Sequence, residues 1–178
     1  VALPFLFALI VPMETVLFTA VEEQAYPTDC GYAVVESIAA HYYDQPTRIP
    51  RRINSGDFRL SVAEICEHLK GIGLRTGAYY LDWITLTDAL ARYGPAIVHF
   101  DAPHGHFAVA VTSVHGAEML VLADPARGLV AVDRSWWSRH ASGATILIDA
   151  EWNETVVSLQ RNLVSGRVGR LTAVGYGW

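Results

Sequence analysis

Cys30 is preceded six residues earlier by Gln24 and followed directly by Gly31, in the stretch QAYPTDCGYAVVESIAAHYY that runs from Gln24 to Tyr43. Those residue types at that spacing suit acyl transfer to a thiol. Val34, Val35, Ile38 and Tyr42 recur at intervals of three and four, which predicts a helix with Cys30 at its amino end. Unpaired backbone N–H groups and the positive end of the helix dipole favour an anion there. Gly31 leaves room for a substrate backbone to come close, and with Tyr32 it is the expected substrate-binding pair. Gln24, on the loop before the helix, can fold back and offer its amide N–H to an oxyanion forming beside the sulfur. Asp29 or Thr28 is expected to cap the exposed N–H groups of the helix.

A thiol of this kind needs a base, and seven histidines compete for the role. His106 heads an apolar strand, HFAVAV, directly after the turn APHG. Asp124 ends the next strand, MLVLAD, and Pro125 terminates it. Antiparallel neighbours joined by a turn at His115-Gly116 bring His106 and Asp124 to one end of the sheet, nearly level. A histidine that accepts the thiol proton and a carboxylate that fixes its tautomer complete the chemistry. His104, two residues from His106, is the alternative base and is assigned to the loop. His99, in AIVHF, reads as a satisfied strand residue, and His41, His68, His115 and His140 have no partner in sequence. The HGH run at 104–106 has no carboxylate or cysteine at ligand spacing, so neither zinc nor any other cofactor is expected. Cys66 shares an apolar stripe with Val62, Ile65 and Leu69 and reads as a core thiol. Trp136 and Trp137 read as caps on the core.

The elements that position these residues follow from the same patterns. At 178 residues, 52% hydrophobic and 17% charged, the chain suffices for one well-buried core and predicts a single domain over 13–178. A net charge of −5, with no basic run longer than Arg51-Arg52, excludes the footprint that nucleic acid demands. The opening VALPFLFALIVP is too short to span a membrane and matches the apolar region of a truncated secretory signal at 1–12; the other reading is a buried first element. After the first helix, DQPTRIPRRINSGDFRL reads as a long surface connection. Ser61 to Glu64 forms a capping box for a second helix, closed by Gly71 or Gly73. A strand is expected over Leu74 to Leu81, then a third helix from Thr85 that stops at Gly94-Pro95. Five short strands rich in Val, Ile and Leu follow, too closely spaced for crossover helices before Arg134 to His140, so the sheet should be mainly antiparallel. Helices first and strands second make an α+β domain. The tail at 155–178 alternates weakly and suggests a hairpin.

Taken together, Gln24 with Cys30-Gly31, Tyr42-Tyr43, His106-Phe107-Ala108-Val109, Asp124-Pro125-Ala126 with Gly128, and Trp137 with Ser142-Gly143 resemble the papain-like cysteine peptidases that process bacteriocin leaders after a double glycine. The resemblance covers roughly Val11 to Ile148. It implies a papain-like fold with helices packed on an antiparallel sheet and a cleft between them. It also implies Cys30 as nucleophile, His106 as general base and acid, Asp124 as its orienter and Gln24 as oxyanion donor. Lacking transporter segments, the chain looks like a free-standing member, periplasmic or otherwise extracytoplasmic, acting on an exported precursor peptide beside a secretion system. Tyr32 stands where the family commonly has a small residue or a second cysteine, and is expected to narrow or reshape the cleft. Two other readings stay open: a transglutaminase-like acyltransferase, and a silent domain that only holds a leader peptide.

Overall fold

The protein is described by a computed structural model over residue 18 and residues 21–43, 47–51, 58–101, 105–114 and 118–149. The expected signal segment at 1–12, the tail at 155–178, His104 and the turn at 115–116 lie outside these residues. Among the described residues the elements run α1 (Cys30–Tyr43), α2 (Val62–Gly71), β1 (Arg75–Tyr80), α3 (Trp83–Tyr93) and β2 (Ala96–Phe100), and then β3 (His106–Val114), β4 (Met119–Asp124), β5 (Gly128–Asp133), α4 (Arg134–His140) and β6 (Ala141–Asp149). The strands form one sheet in the order β1-β6-β2-β3-β4-β5, and each neighbouring pair is antiparallel.

Helices cover both faces of this sheet, which explains why AIVHF of β2 is buried at every position instead of alternating. One face buries Ile97, Phe107, Val109, Ile146 and Ile148 against Val34, Val35 and Ile38 of α1 and Ile65 and Leu69 of α2. The other buries Val98, Ala108, Ala110, Leu120 and Leu122 against Leu86 and Leu90 of α3 and Trp137 of α4. This second helical layer goes beyond the single helical group that the resemblance implied. The central strands β2, β3 and β6 feed both cores while each helix feeds one, and that burial is the main driving force for the fold.

The helix ends obey local chemistry. Ser61 Oγ accepts the Glu64 N–H, and Glu64 Oε2 accepts the Ser61 N–H at 2.9 Å, so the capping box is formed at α2. α3 starts two residues before the expected Thr85, because Asp82 Oδ1 accepts the Thr85 N–H at 2.8 Å and so caps the helix from further back. At α4, Asp133 Oδ1 accepts the Trp136 N–H at 2.7 Å. Cys66 is partly buried at the edge of the first core, short of the full core position expected from its stripe, which runs into the core through Ile65 and Leu69. Burial pushes its thiol up, against a hydrogen bond with Thr76.

Candidate active site

The site begins where α1 begins. The Asp29 carbonyl accepts the N–H groups of Tyr32 at 3.0 Å and Ala33 at 3.1 Å, so the helix starts from Asp29 and Cys30 is its first residue. The expected side-chain cap by Asp29 is not what forms. Its carboxylate turns back along the chain: Oδ1 accepts the Tyr26 N–H at 3.1 Å and Oδ2 the Ala25 N–H at 3.3 Å. The turn over 26–29, closed by the Asp29 N–H to Tyr26 O at 3.3 Å, brings those two donors within reach of it. Arg51 Nε adds an ion pair to Oδ2 at 3.4 Å. The carboxylate is therefore not spent on the amino end of α1.

His106 and Asp124 meet as expected. Nε2 of His106 lies 2.9 Å from Asp124 Oδ1. The register explains how. Val111 is an extra residue in β3, because Thr112 pairs with Val121 while Ala110 pairs with Leu122. Continued past Val109 and Ala123, the register sets Asp124 opposite Ala108, so His106 is two residues out of level with it and on the same side of the sheet. Without the bulge, Asp124 would face Val109 and the two side chains would point to opposite sides. The turn after β4 is equally specified by sequence. In DPARG, Asp124 Oδ1 also accepts the Ala126 N–H at 2.8 Å, the Arg127 N–H bonds Asp124 O at 3.1 Å, and Gly128 takes φ 77°. Arg127 Nε donates to Asp124 Oδ2 at 2.9 Å.

Electrostatics follow from these contacts. Burial of the His106 ring disfavours its cation, yet hydrogen bonds and charge from Asp124 and Cys30 outweigh it and hold its pKa at about 9. Burial also opposes the Asp124 anion, but the His106, Ala126 and Arg127 contacts keep its carboxyl below the usual range. With Nε2 committed to Asp124, Nδ1 is the ring nitrogen left for the Cys30 thiol. His99 is the opposite case. Burial pushes its pKa down to about 4, and its Nδ1 lies 3.0 Å from Ser142 Oγ.

Gln24 arrives on a segment pinned at two points: the Glu22 N–H donates to Ser37 Oγ of α1 at 2.9 Å, and the Gln24 N–H donates to Pro125 O at 3.0 Å. It thus sits against the turn that carries Asp124. Its Oε1 is buried and accepts no hydrogen bond among the described residues. Two expectations are corrected. A Cβ on Gly31 would come within 2.9 Å of Leu60 Cβ, so this glycine serves close packing of α1 on the chain before α2 and not the approach of a substrate. Tyr32 is 1% exposed, its ring 5.6 Å from that of His68 and under the Arg51 guanidinium at 5.4 Å, so it belongs to the core and does not narrow the cleft. One charged cluster escaped the sequence reading altogether. Arg51 grips both oxygens of buried Glu36, with Nη1–Oε1 at 2.5 Å and Nη2–Oε2 at 3.1 Å, and Glu36 Oε1 also accepts the Ile49 N–H at 2.8 Å. The only signal for it was the length of the polar connection after α1.

An imidazole between a carboxylate and a thiol can exchange a proton with the sulfur and with a leaving group. A separate concavity of about 370 Å³, lined by Asp82, Trp83, Arg134, Trp137 and Ser142 among others, contains none of Gln24, Cys30, His106 and Asp124. Among the described residues, no three of His, Cys, Asp and Glu gather so as to hold a metal ion.

Comparison with known proteins agrees with this geometry. Among curated proteins no match is found. The peptidase domain of Streptococcus ComA, a bifunctional ABC transporter of a quorum-sensing pathway, superposes with a TM-score of 0.60 at 23% identity, covering 73% of this chain and 97% of that one. A double glycine motif protease from an AMS/PCAT transporter, solved with its leader peptide, gives 0.57 at 20% identity over 72% and 89%. The N-terminal C39-like domain of a Vibrio parahaemolyticus toxin secretion ATP-binding protein gives 0.53 at 10% over 71% and 100%. These likenesses show a papain-like fold. The family model for peptidase C39 matches residues 19–153, which contain Gln24, Cys30, His106 and Asp124. The chain belongs to the peptidase C39 family.

Proposed function

We propose that this protein is a cysteine endopeptidase that cuts the leader from an exported precursor peptide, with Cys30 as nucleophile, His106 as general base and acid, Asp124 as its orienter and Gln24 as an oxyanion donor. The observation that carries the reading is the His106 imidazole held by Asp124 at 2.9 Å on one nitrogen, with Cys30 as well as Asp124 favouring its cation. Family membership and the leader-bound neighbour support a peptide substrate. The sulfur of Cys30 attacks the scissile carbonyl, forming a C–S bond while the π electrons move to oxygen. The Gln24 amide and the Cys30 N–H receive that oxyanion. Collapse breaks the C–N bond, and His106 gives its proton to the leaving amine. Water then attacks the thioester as His106 takes its proton, and C–S cleavage releases the leader as an acid. The apolar run at 1–12 supports an extracytoplasmic workplace for this cut.

Intact mass spectrometry of precursors with double-glycine leaders, incubated with the wild type and with Cys30→Ala, tests the reading. Two fragments that sum to the precursor plus one water, absent with Cys30→Ala, are expected. An adduct carrying an added amine would indicate acyl transfer instead. Capture of intact leader without cleavage would make this a silent binding domain.

A further inference from the structure

Asp29 is fully buried and stands one residue before Cys30, where an aspartate ordinarily stabilises its own helix by accepting N–H groups of the first turn. It gives up that role. Its carboxylate instead holds the N–H groups of Ala25 and Tyr26 at 3.3 and 3.1 Å, the residues that return the chain from Gln24 to Cys30. Arg51 ties the same carboxylate to Glu36, and Glu36 in turn fixes the Ile49 N–H at 2.8 Å. Two acids are thereby buried against a partly exposed arginine, an arrangement that costs desolvation and that apolar residues of similar volume often match in stability. What it supplies is geometry at two places. The loop that presents Gln24, whose Oε1 is buried without a hydrogen-bond partner among the described residues, is held at its far end, and the first N–H groups of α1 are left unoccupied by the nearest carboxylate.

We propose that Asp29 is a positioning residue for the oxyanion-binding groups, with Arg51 as the anchor that keeps its carboxylate turned away from α1. The inference rests on the peptidase reading above. It predicts a separation between two reactions of Cys30. Alkylation by iodoacetamide places no charge on a substrate oxygen, so it responds to the sulfur and to His106 but not to the oxyanion groups. A peptide aldehyde does place one there: the C–S bond forms, the carbonyl π pair moves to oxygen, and the proton from His106 finishes the hemithioacetal.

The experiment uses the full chain with a peptide aldehyde ending in glycinal and measures hemithioacetal affinity, Cys30 alkylation rate and, on a cleavable precursor, kcat and KM. In Asp29→Asn, aldehyde affinity and kcat should fall together by about 10- to 100-fold, the scale of a misplaced reacting group, with KM little changed. Cys30 alkylation should stay within about twofold of the wild type, as the intact His106–Asp124 pair requires. Arg51→Lys, which keeps the charge but loses the fork on Glu36, should show the same split in smaller measure and serves if Asp29→Asn does not fold. Unchanged aldehyde affinity in either variant overturns the inference while leaving the peptidase reading intact. An equal fall in alkylation also overturns it, since that is general damage to the site. A wild type that forms no hemithioacetal removes the peptidase reading and this inference with it.

Discussion

Among the described residues, three helices start alike and one does not. Ser61, Asp82 and Asp133 each place a side-chain oxygen on an N–H of the helix that follows, at α2, α3 and α4. Asp29, at the start of α1, has the right residue type and the right position but turns its carboxylate toward Ala25 and Tyr26. The difference coincides with the proposed chemistry, because α1 is the helix that begins with Cys30. A cap is worth about 1 kcal/mol to a helix, so three starts are built for stability while the fourth leaves its donors to another use. The two cysteines repeat the contrast. Cys66 packs in the middle of α2 with burial raising its thiol, and Cys30 meets an imidazole held by a carboxylate.

The largest expected effect separates the open start from every structural position. His106→Ala should abolish measurable turnover while leaving the fold intact, since general acid and base work contributes about 10²–10⁴ and the sulfur loses its proton acceptor. His104→Ala should reduce turnover only modestly, and the reverse ranking, read by steady-state kinetics, would move the base by two residues. Next, Gln24→Ala should lower kcat by about 10²–10³ with KM little changed, because the lost contact belongs to the transition state. Gln24→Glu should be at least as harmful, since it sets a carboxylate against the developing oxyanion. Near-full kcat in both variants would make Gln24 a structural loop residue.

A third effect appears in the pH profile. His106 has its pKa raised from 6.5 to about 9, so its charged pairing with Asp124 is fully present below about 6.5 and is lost as pH rises through 9. The basic limb of kcat/KM should therefore fall near pH 9 in the wild type. In Asp124→Asn it should move to lower pH, as the main opposition to burial is removed. A limb that stays near 9 in the variant would show that Asp124 does not hold the imidazolium. The smallest effect lies at an ordinary cap. Asp82→Ala should cost about 1 kcal/mol in denaturant unfolding and leave kcat/KM unchanged, and a loss of activity there would blur the distinction between the two kinds of helix start.

Much of this was legible in the residues. Ser61 to Glu64 announced α2, Gly94-Pro95 ended α3, and the alternation of short Val- and Ile-rich runs with turn residues set the antiparallel strands. His106 and Asp124 could be paired because each sits at the end of a strand that the turn residues delimit. What escaped depends on partners distant in sequence. The Asp29 carboxylate also meets Arg51, 22 residues away, on a connection whose composition suggested only surface. The inward turn of Tyr32 depends on Arg51 and His68 in the same way. Gly31 read as room for substrate because Leu60, which fills that space, lies at the far end of the same connection. The bulge at Val111, which brings His106 and Asp124 to one side, carries no glycine or proline to mark it and emerges only from the register.

The most direct measurement is competitive labelling of the two thiols with iodoacetamide at neutral pH, resolved by peptide mass, in the wild type and in His106→Ala. Cys30 should label well ahead of Cys66 in the wild type and lose that lead in His106→Ala, because the imidazole that exchanges a proton with its sulfur is gone. Faster labelling of Cys66, or a Cys30 rate indifferent to His106, would contradict the account.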